Sequence, residues 1–157
     1  MNPDSRMSKI RNRNAALVDK LRSAMEPLIA TLTTKIQAVY LHGSWATQWA
    51  RRDSDIDLAI LAEARLSFEE RSIIFREIDA AFGGTSEVDV AELFHSDCVF
   101  SAQVVTKGER ILAYDRDAAE RFEMMALANY ARLNEERMGI IADIRRRGTV
   151  YLTGTGA

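Results

Sequence analysis

Apolar residues along the chain recur with two periods, and the alternation between them sets the expected order of elements. Leu17, Leu21, Met25 and Leu28 follow helical steps and predict a helix over about 14–33, bent or unsettled by Pro27. The apolar run 36–41 reads as a strand closed by Gly43-Ser44, with a short helix over 44–50. Residues 55–61 read as a strand with a continuous apolar end, Leu58 to Leu61. Ser67-Phe68-Glu69-Glu70 is a capping box, and Ile74, Ile78 and Phe82 behind it predict a helix that Gly83-Gly84 ends. In 87–94, Val88 and Val90 alternate with Glu87 and Asp89, as a strand requires, with a slip at Ala91. A short helix over 97–106, a strand over 110–114 and a long helix over 117–147 follow. Phe122, Ala126, Tyr130, Leu133, Ile140 and Ile144 form one stripe on the last, and Gly148 is its cap.

Helices and strands in alternation predict an α/β (α+β) fold: a small mixed β-sheet flanked by helices, with a long C-terminal helix. The 157 residues fit a single domain. We expect it to span 14–152, behind a flexible basic arm over 1–13 (Arg6, Lys9, Arg11, Arg13) and ahead of a loose tail over 153–157. No apolar run follows the arm as a secretory signal needs, and no segment is long enough to cross a bilayer, so a cytoplasmic location is expected. An apolar fraction of 47% and a charged fraction of 28% are ordinary for a soluble domain. The net charge of -2 and pI near 5.7 give no global attraction to nucleic acid or acidic membrane, so neither is an expected partner. A lone cysteine, Cys98, excludes an internal disulfide, and the two histidines have no zinc-ligand spacing.

The candidate chemistry begins at Gly43-Ser44 and resumes, after ten residues, at Asp55-Ile56-Asp57. Asp55 and Asp57, two apart on a strand, share a face while Ile56 and Leu58 turn to the core. Adjacent carboxylates repel, so a cation is the natural neutraliser, and hard oxygen donors suit Mg²⁺ or Mn²⁺. Gly43 lets backbone approach a phosphate, and a helix start with a serine hydroxyl makes an anion site. Asp89, flanked by Val88 and Val90, adds a third carboxylate if its strand lies beside the first. Two ions bridged by such a cluster clamp an in-line displacement at phosphorus.

This pattern resembles the signature of the DNA polymerase beta-like nucleotidyltransferase superfamily. Within it, the short chain and the stretch from Ser54 to Leu61 resemble the minimal nucleotidyltransferase (MNT) group. The order of elements is similar along roughly 15–150, and tight agreement is confined to 40–61 and 87–93. The resemblance implies a nucleotidyltransferase fold. It implies that Asp55 and Asp57 bind two Mg²⁺ ions, and that Asp89 binds the ion nearer the acceptor and takes its proton. Gly43 and Ser44 would hold the triphosphate of ATP. The chain departs from the family after the Gly-Ser pair, where Trp45-Ala46-Thr47-Gln48 lacks the usual Arg. Arg51 or Arg52 is a candidate substitute, and a solvated basic pair is the alternative. Trp45 and Trp49 are expected to pack on the core or a partner rather than stack on a base.

The size and motifs further resemble MNT antitoxins paired with a HEPN ribonuclease toxin, which implies transfer of AMP from ATP to a tyrosine of the toxin. Arg145-Arg146-Arg147 would then help grip the partner; favourable charge at a helix C-terminus is the simpler explanation. Two other functions stay open: nucleotide transfer to a small molecule such as an aminoglycoside, and a non-catalytic module that neutralises the toxin by binding alone.

Overall fold

Two strands whose apolar residues alternate without a polar break must be covered on both faces. β1 (Ile36–His42) and β2 (Ile56–Ala62) are such strands, and they form the middle of a four-stranded sheet. In this computed structural model, which describes residues 3–46, 54–84 and 86–148 (3–14 by backbone), the strand order is β3-β2-β1-β4. β3 is Val88–Glu92 and β4 is Glu109–Ala113. β1 runs antiparallel to both β2 and β4, whereas β2 and β3 are parallel. A parallel pair needs a crossover, and α2 (Phe68–Phe82) supplies it.

Val39 and Leu41 of β1 join Ile56, Leu58 and Ile60 of β2 on one face. There they pack against Leu17, Leu21, Met25 and Leu28 of α1 (Pro3–Ile29) and against Ile74 and Ile78 of α2. The opposite face carries Ala38, Tyr40, Ala59 and Leu61. It is covered by Val104 of α3 (Cys98–Lys107) and Ala119 of α4 (Arg116–Arg147), with Phe100 and Phe122 at the margin. Period two thus divides each central strand between two cores. The expected small mixed sheet between helices, with a long C-terminal helix, is the observed fold.

The second core holds a polar clamp. The Tyr40 hydroxyl donates to Glu123 Oε1 at 3.0 Å, and Arg110 donates to the same oxygen at 3.1 Å. Burial, with the Glu123 carboxylate beside it, pushes the Tyr40 hydroxyl well above its ordinary pKa, so it remains a donor. β1, β4 and α4 are joined at this point.

Three differences from the expected elements have physical causes. α1 is helical from Pro3, so the backbone of 3–13, expected as a flexible or helix-leading arm, is part of the helix. Proline suits a first helical turn, and the Arg, Lys and Met that follow are good helix formers, yet they carry no apolar period to reveal it. α1 stops at Ile29 instead of near 33; the chain turns there, with the Thr31 and Leu32 N–H groups both donating to the Leu28 carbonyl at 2.9 Å. On α4 the apolar stripe is buried only near its start, at Ala118, Ala119 and Ala126, and Ile140 is 60% exposed. A helix of 32 residues extends about 48 Å, far beyond a sheet whose longest strands have seven residues. Gly139, in that distal half, has open space where a Cβ would stand. Gly139→Ala should stabilise the protein by about 0.4–1 kcal/mol, read by urea denaturation, because alanine loses less backbone entropy in a helix.

The capping box of α2 forms as the sequence implies, and Gly83 closes the helix in the left-handed conformation. Glu70 also accepts from the Thr34 backbone N–H at 2.8 Å and the Thr34 hydroxyl at 3.1 Å, which fastens the entry to β1 onto α2. Bonds from the Ser67 and Thr34 backbone N–H groups hold its carboxyl below the usual carboxylate range. A folded pKa below the unfolded value gives stability present above the unfolded pKa and lost as pH falls through the folded one. Glu70→Ala should therefore cost about 1 kcal/mol at pH 7. Urea titrations of the two proteins should converge as pH falls through the lowered pKa of the folded carboxyl.

Candidate active site

The three carboxylates meet through strand register. His42, the last residue of β1, lies opposite Asp57 of β2, and Asp57 lies opposite Asp89 of β3. One row therefore crosses three strands at one end of the sheet, on the face that α3 and α4 cover further along. Asp55 stands two residues before Asp57, just ahead of β2. Asp57 is half-buried, whereas Asp55 and Asp89 are exposed. Burial pushes the Asp57 carboxyl above its ordinary pKa; the His42 imidazole opposes this, and the negative charges of Asp89 and Asp55 add to it. A single half-buried carboxylate thus feels both of the others.

Gly43 begins a 3-10 turn, Gly43–Ala46, at φ +66°. A Cβ on it would overlap the Asp57 carboxylate oxygen and stand 2.8 Å from Asp57 Cγ. The carboxylate rests against bare backbone, in a cradle that any side chain would fill. Glycine is therefore required twice here: for the left-handed backbone and for the space. Ser44 follows in the same turn, half-buried. The short helix expected over 44–50 is seen as this turn as far as Ala46.

Trp45 is 7% exposed within the first core, and its indole Nε1–H donates to the Ser54 carbonyl at 2.9 Å. The indole ties the Gly43-Ser44 turn to the residue preceding Asp55. It is a packing residue, as expected. Thr47, Gln48, Trp49, Arg51 and Arg52 lie outside the described residues. At the other end of the chain, Arg146 and Arg147 each pair with Asp143 on their own helix at 2.7 Å. That favours the helix-terminus explanation of the arginine run.

Sequence reasoning set His42 aside for want of a metal partner. It belongs to the site: it faces Asp57 across the β1–β2 pair and packs edge-on against Phe100 of α3, with centroids 5.4 Å apart. The available signal was alternation, since Tyr40 and His42 share one face of β1.

Among the described residues, no three His, Cys, Asp or Glu side chains close on a common point as a ready cage for a metal ion. Mg²⁺ does not need one: it keeps several waters and binds through one or two carboxylates plus the phosphates of its substrate. Hard oxygen donors gathered at one rim, with a half-buried carboxylate destabilised by its neighbours, fit such an ion.

Comparison with known proteins agrees with this geometry. Residues 26–117 match the family described as polymerase beta, nucleotidyltransferase. The chain is 34% identical over 110 residues to the protein adenylyltransferase MntA of Shewanella oneidensis, an alignment covering 70% of this chain and 77% of that protein. A chain in the crystal structure of a toxin–antitoxin with AMP-PNP superposes with a TM-score of 0.62 at 31% identity, covering 79% of this chain and 98% of that one. A chain from the complex of tri-AMPylated Shewanella oneidensis HEPN toxin with MNT antitoxin superposes at 0.57 and 26% identity, covering 87% and 98%. The chain is a member of the polymerase beta nucleotidyltransferase family.

Proposed function

We propose that this protein transfers AMP from ATP to a tyrosine of a partner HEPN ribonuclease toxin and so acts as its antitoxin. The observation that carries the reading is the register of Asp57 opposite Asp89, two residues after Asp55 and against the bare backbone of Gly43. The relative's name, protein adenylyltransferase, and the toxin–antitoxin structures solved with AMP-PNP or with AMPylated toxin support the same donor and acceptor. The proposed setting is the cytoplasm, and no described helix is long and apolar enough to cross a membrane.

The backbone N–H groups at Gly43-Ser44 and the Ser44 hydroxyl hold the triphosphate. Asp55 and Asp57 would hold two Mg²⁺ ions (Mn²⁺ suits the same oxygens), and Asp89 would help hold the one nearer the acceptor. When bound, the ions supply the positive charge that offsets the triphosphate and the crowded phosphorus of the in-line transition state. Asp89, on the edge strand, accepts the proton of the tyrosine hydroxyl. The phenolic oxygen bonds to the α-phosphorus as the bond to pyrophosphate breaks, so one pyrophosphate leaves for each AMP transferred.

The test is incubation with labelled ATP, Mg²⁺ and a HEPN ribonuclease toxin as the proposed partner. Label should appear on a tyrosine of that protein and vanish with Asp57→Asn. Label on an aminoglycoside and none on protein would move the assignment to a small-molecule transferase. Neutralisation that survives the loss of labelling would leave a binding module.

A further inference from the structure

The open edge of the sheet lies beside Asp89, and its backbone is turned outward in a regular way. The Glu87 carbonyl accepts from the Ile56 N–H at 2.8 Å, and the Leu93 N–H donates to the Ile60 carbonyl at 2.9 Å. Asp89 and Ala91, between them on β3, therefore turn their N–H and C=O groups to β2, whereas Val88, Val90 and Glu92 turn theirs to the edge. Among the described residues no strand pairs with that edge. A cavity of about 170 Å³ opens along it, between β3 and α2. Its walls are Leu66, Ile74 and Phe75 on one side and the β3 stretch from Asp89 to Glu92 on the other. Phe75 is 47% exposed, although it stands next to the stripe by which α2 packs on the core. The charged groups at the end away from Asp89 are already engaged: Glu92 accepts from the Leu66 N–H at 3.0 Å and pairs with Arg71 at 4.0 Å. An occupant meets an apolar wall and a row of outward backbone groups.

We infer that this edge and cavity hold the acceptor segment of the partner protein as an added strand, with the modified tyrosine beside Asp89 and an adjacent apolar side chain in the cavity. This presentation rests on the proposed transfer to a protein tyrosine and specifies how that tyrosine is held. Alternation of side chains carries it. Asp89 stands on the face of the sheet that bears Asp57 and His42, whereas Val90 packs on the core beneath α2. A segment paired along β3 has the same period of two. Where one of its side chains stands beside Asp89, its sequence neighbours lie on the other face, over Val90 and Phe75. Carboxylate and cavity are thus one residue apart for an extended chain. The volume fits this occupant: pockets for whole small-molecule ligands run to ~300–1,000 Å³, whereas 170 Å³ suits one side chain. Strand addition takes affinity from main-chain hydrogen bonds and selectivity from pockets for alternate side chains, and β3 offers both. Phe75 is the specificity-determining residue of this arrangement, since it touches the neighbour of the tyrosine and not the nucleotide.

The test uses the full chain with a HEPN ribonuclease toxin as acceptor. Amide hydrogen exchange, followed residue by residue by NMR, should find the Val90 amide fast in the free protein and about tenfold slower or more with saturating toxin. The Asp89 and Ala91 amides should be slow in both. In steady-state transfer, Phe75→Ser should raise KM for the toxin about tenfold and leave KM for ATP unchanged. Phe68→Ser changes an 80% exposed residue on the same helix that does not line the cavity, and it should alter neither constant. In the toxin, exchanging the apolar residue next to the labelled tyrosine for aspartate should raise KM as Phe75→Ser does, with little further rise when the two are combined. A wild type that labels no protein removes the proposed transfer and the strand-edge inference together. Four results overturn the inference alone and leave the transfer standing: an unchanged KM for the toxin in Phe75→Ser, a Val90 amide that stays fast with toxin bound, a Phe68→Ser chain as impaired as Phe75→Ser, or a labelled tyrosine with no apolar neighbour. Slowing of the Val90 amide by ATP and Mg²⁺ without toxin does the same.

Discussion

Asp57→Asn should lower AMP transfer by about 10³-fold, the scale seen when one preorganised charge-stabilising group is removed from an active site. The same substitution should leave the metal-free protein at least as stable as the wild type. Burial and the charges of Asp89 and Asp55 raise the Asp57 pKa in the folded state. A carboxyl whose folded pKa exceeds its unfolded value loses stability as pH rises through its titration, so ionised Asp57 opposes folding at neutral pH. Asparagine keeps the shape and removes the charge. Mg²⁺ should then raise the melting temperature of the wild type and have a smaller effect on the variant, because only the wild type has a buried charge to neutralise. Thermal melts with and without Mg²⁺, beside a steady-state transfer assay, test both halves. Retention of more than a tenth of the activity, or a metal-free melt several degrees below wild type, would sink the assignment of Asp57 as a ligand.

Gly43→Ala should damage stability and activity together. At φ +66° a residue with a Cβ is strained, and here the added methyl also overlaps the Asp57 carboxylate. The combined cost is about 1–3 kcal/mol of folding stability. If the fold relaxes by moving the carboxylate, transfer should fall about 10²-fold, the usual consequence of displacing a reacting group by an ångström. The informative comparison is the double variant. Both changes act through the same carboxylate, so Gly43→Ala should add little to the activity already lost in Asp57→Asn. Additive losses would show that Gly43 acts on the triphosphate independently of Asp57.

Most of the scaffold was legible because its elements announce themselves locally. The Ser67–Glu70 box, the left-handed caps at Gly83 and Gly148, and the apolar runs of β1 and β2 each reflect a rule that operates within a few residues. The convergence of Asp55, Asp57 and Asp89 was legible only conditionally. Period two puts Asp55 and Asp57 on one face, but the pairing that brings Asp89 opposite Asp57 is a long-range fact about strand order. His42 was missed for the same reason: its meaning comes from the neighbour across the sheet. Gly43 was read as room for a phosphate, and its contact with the Asp57 carboxylate appears only in three dimensions. The helical backbone of 3–13 escaped notice because helix propensity without an apolar stripe leaves no periodic trace.

The position of β3 at the rim of the sheet has an evolutionary consequence. The residues proposed to handle the donor nucleotide border the two interior strands, Gly43 and Ser44 in the turn after β1 and Asp55 and Asp57 at the start of β2. Asp89, proposed for the acceptor side, sits on a strand with a single neighbour, and its side chain is open to solvent. On the proposed assignment, substitutions along that margin should change which molecule receives the nucleotide at less expense to folding than substitutions in β1 or β2.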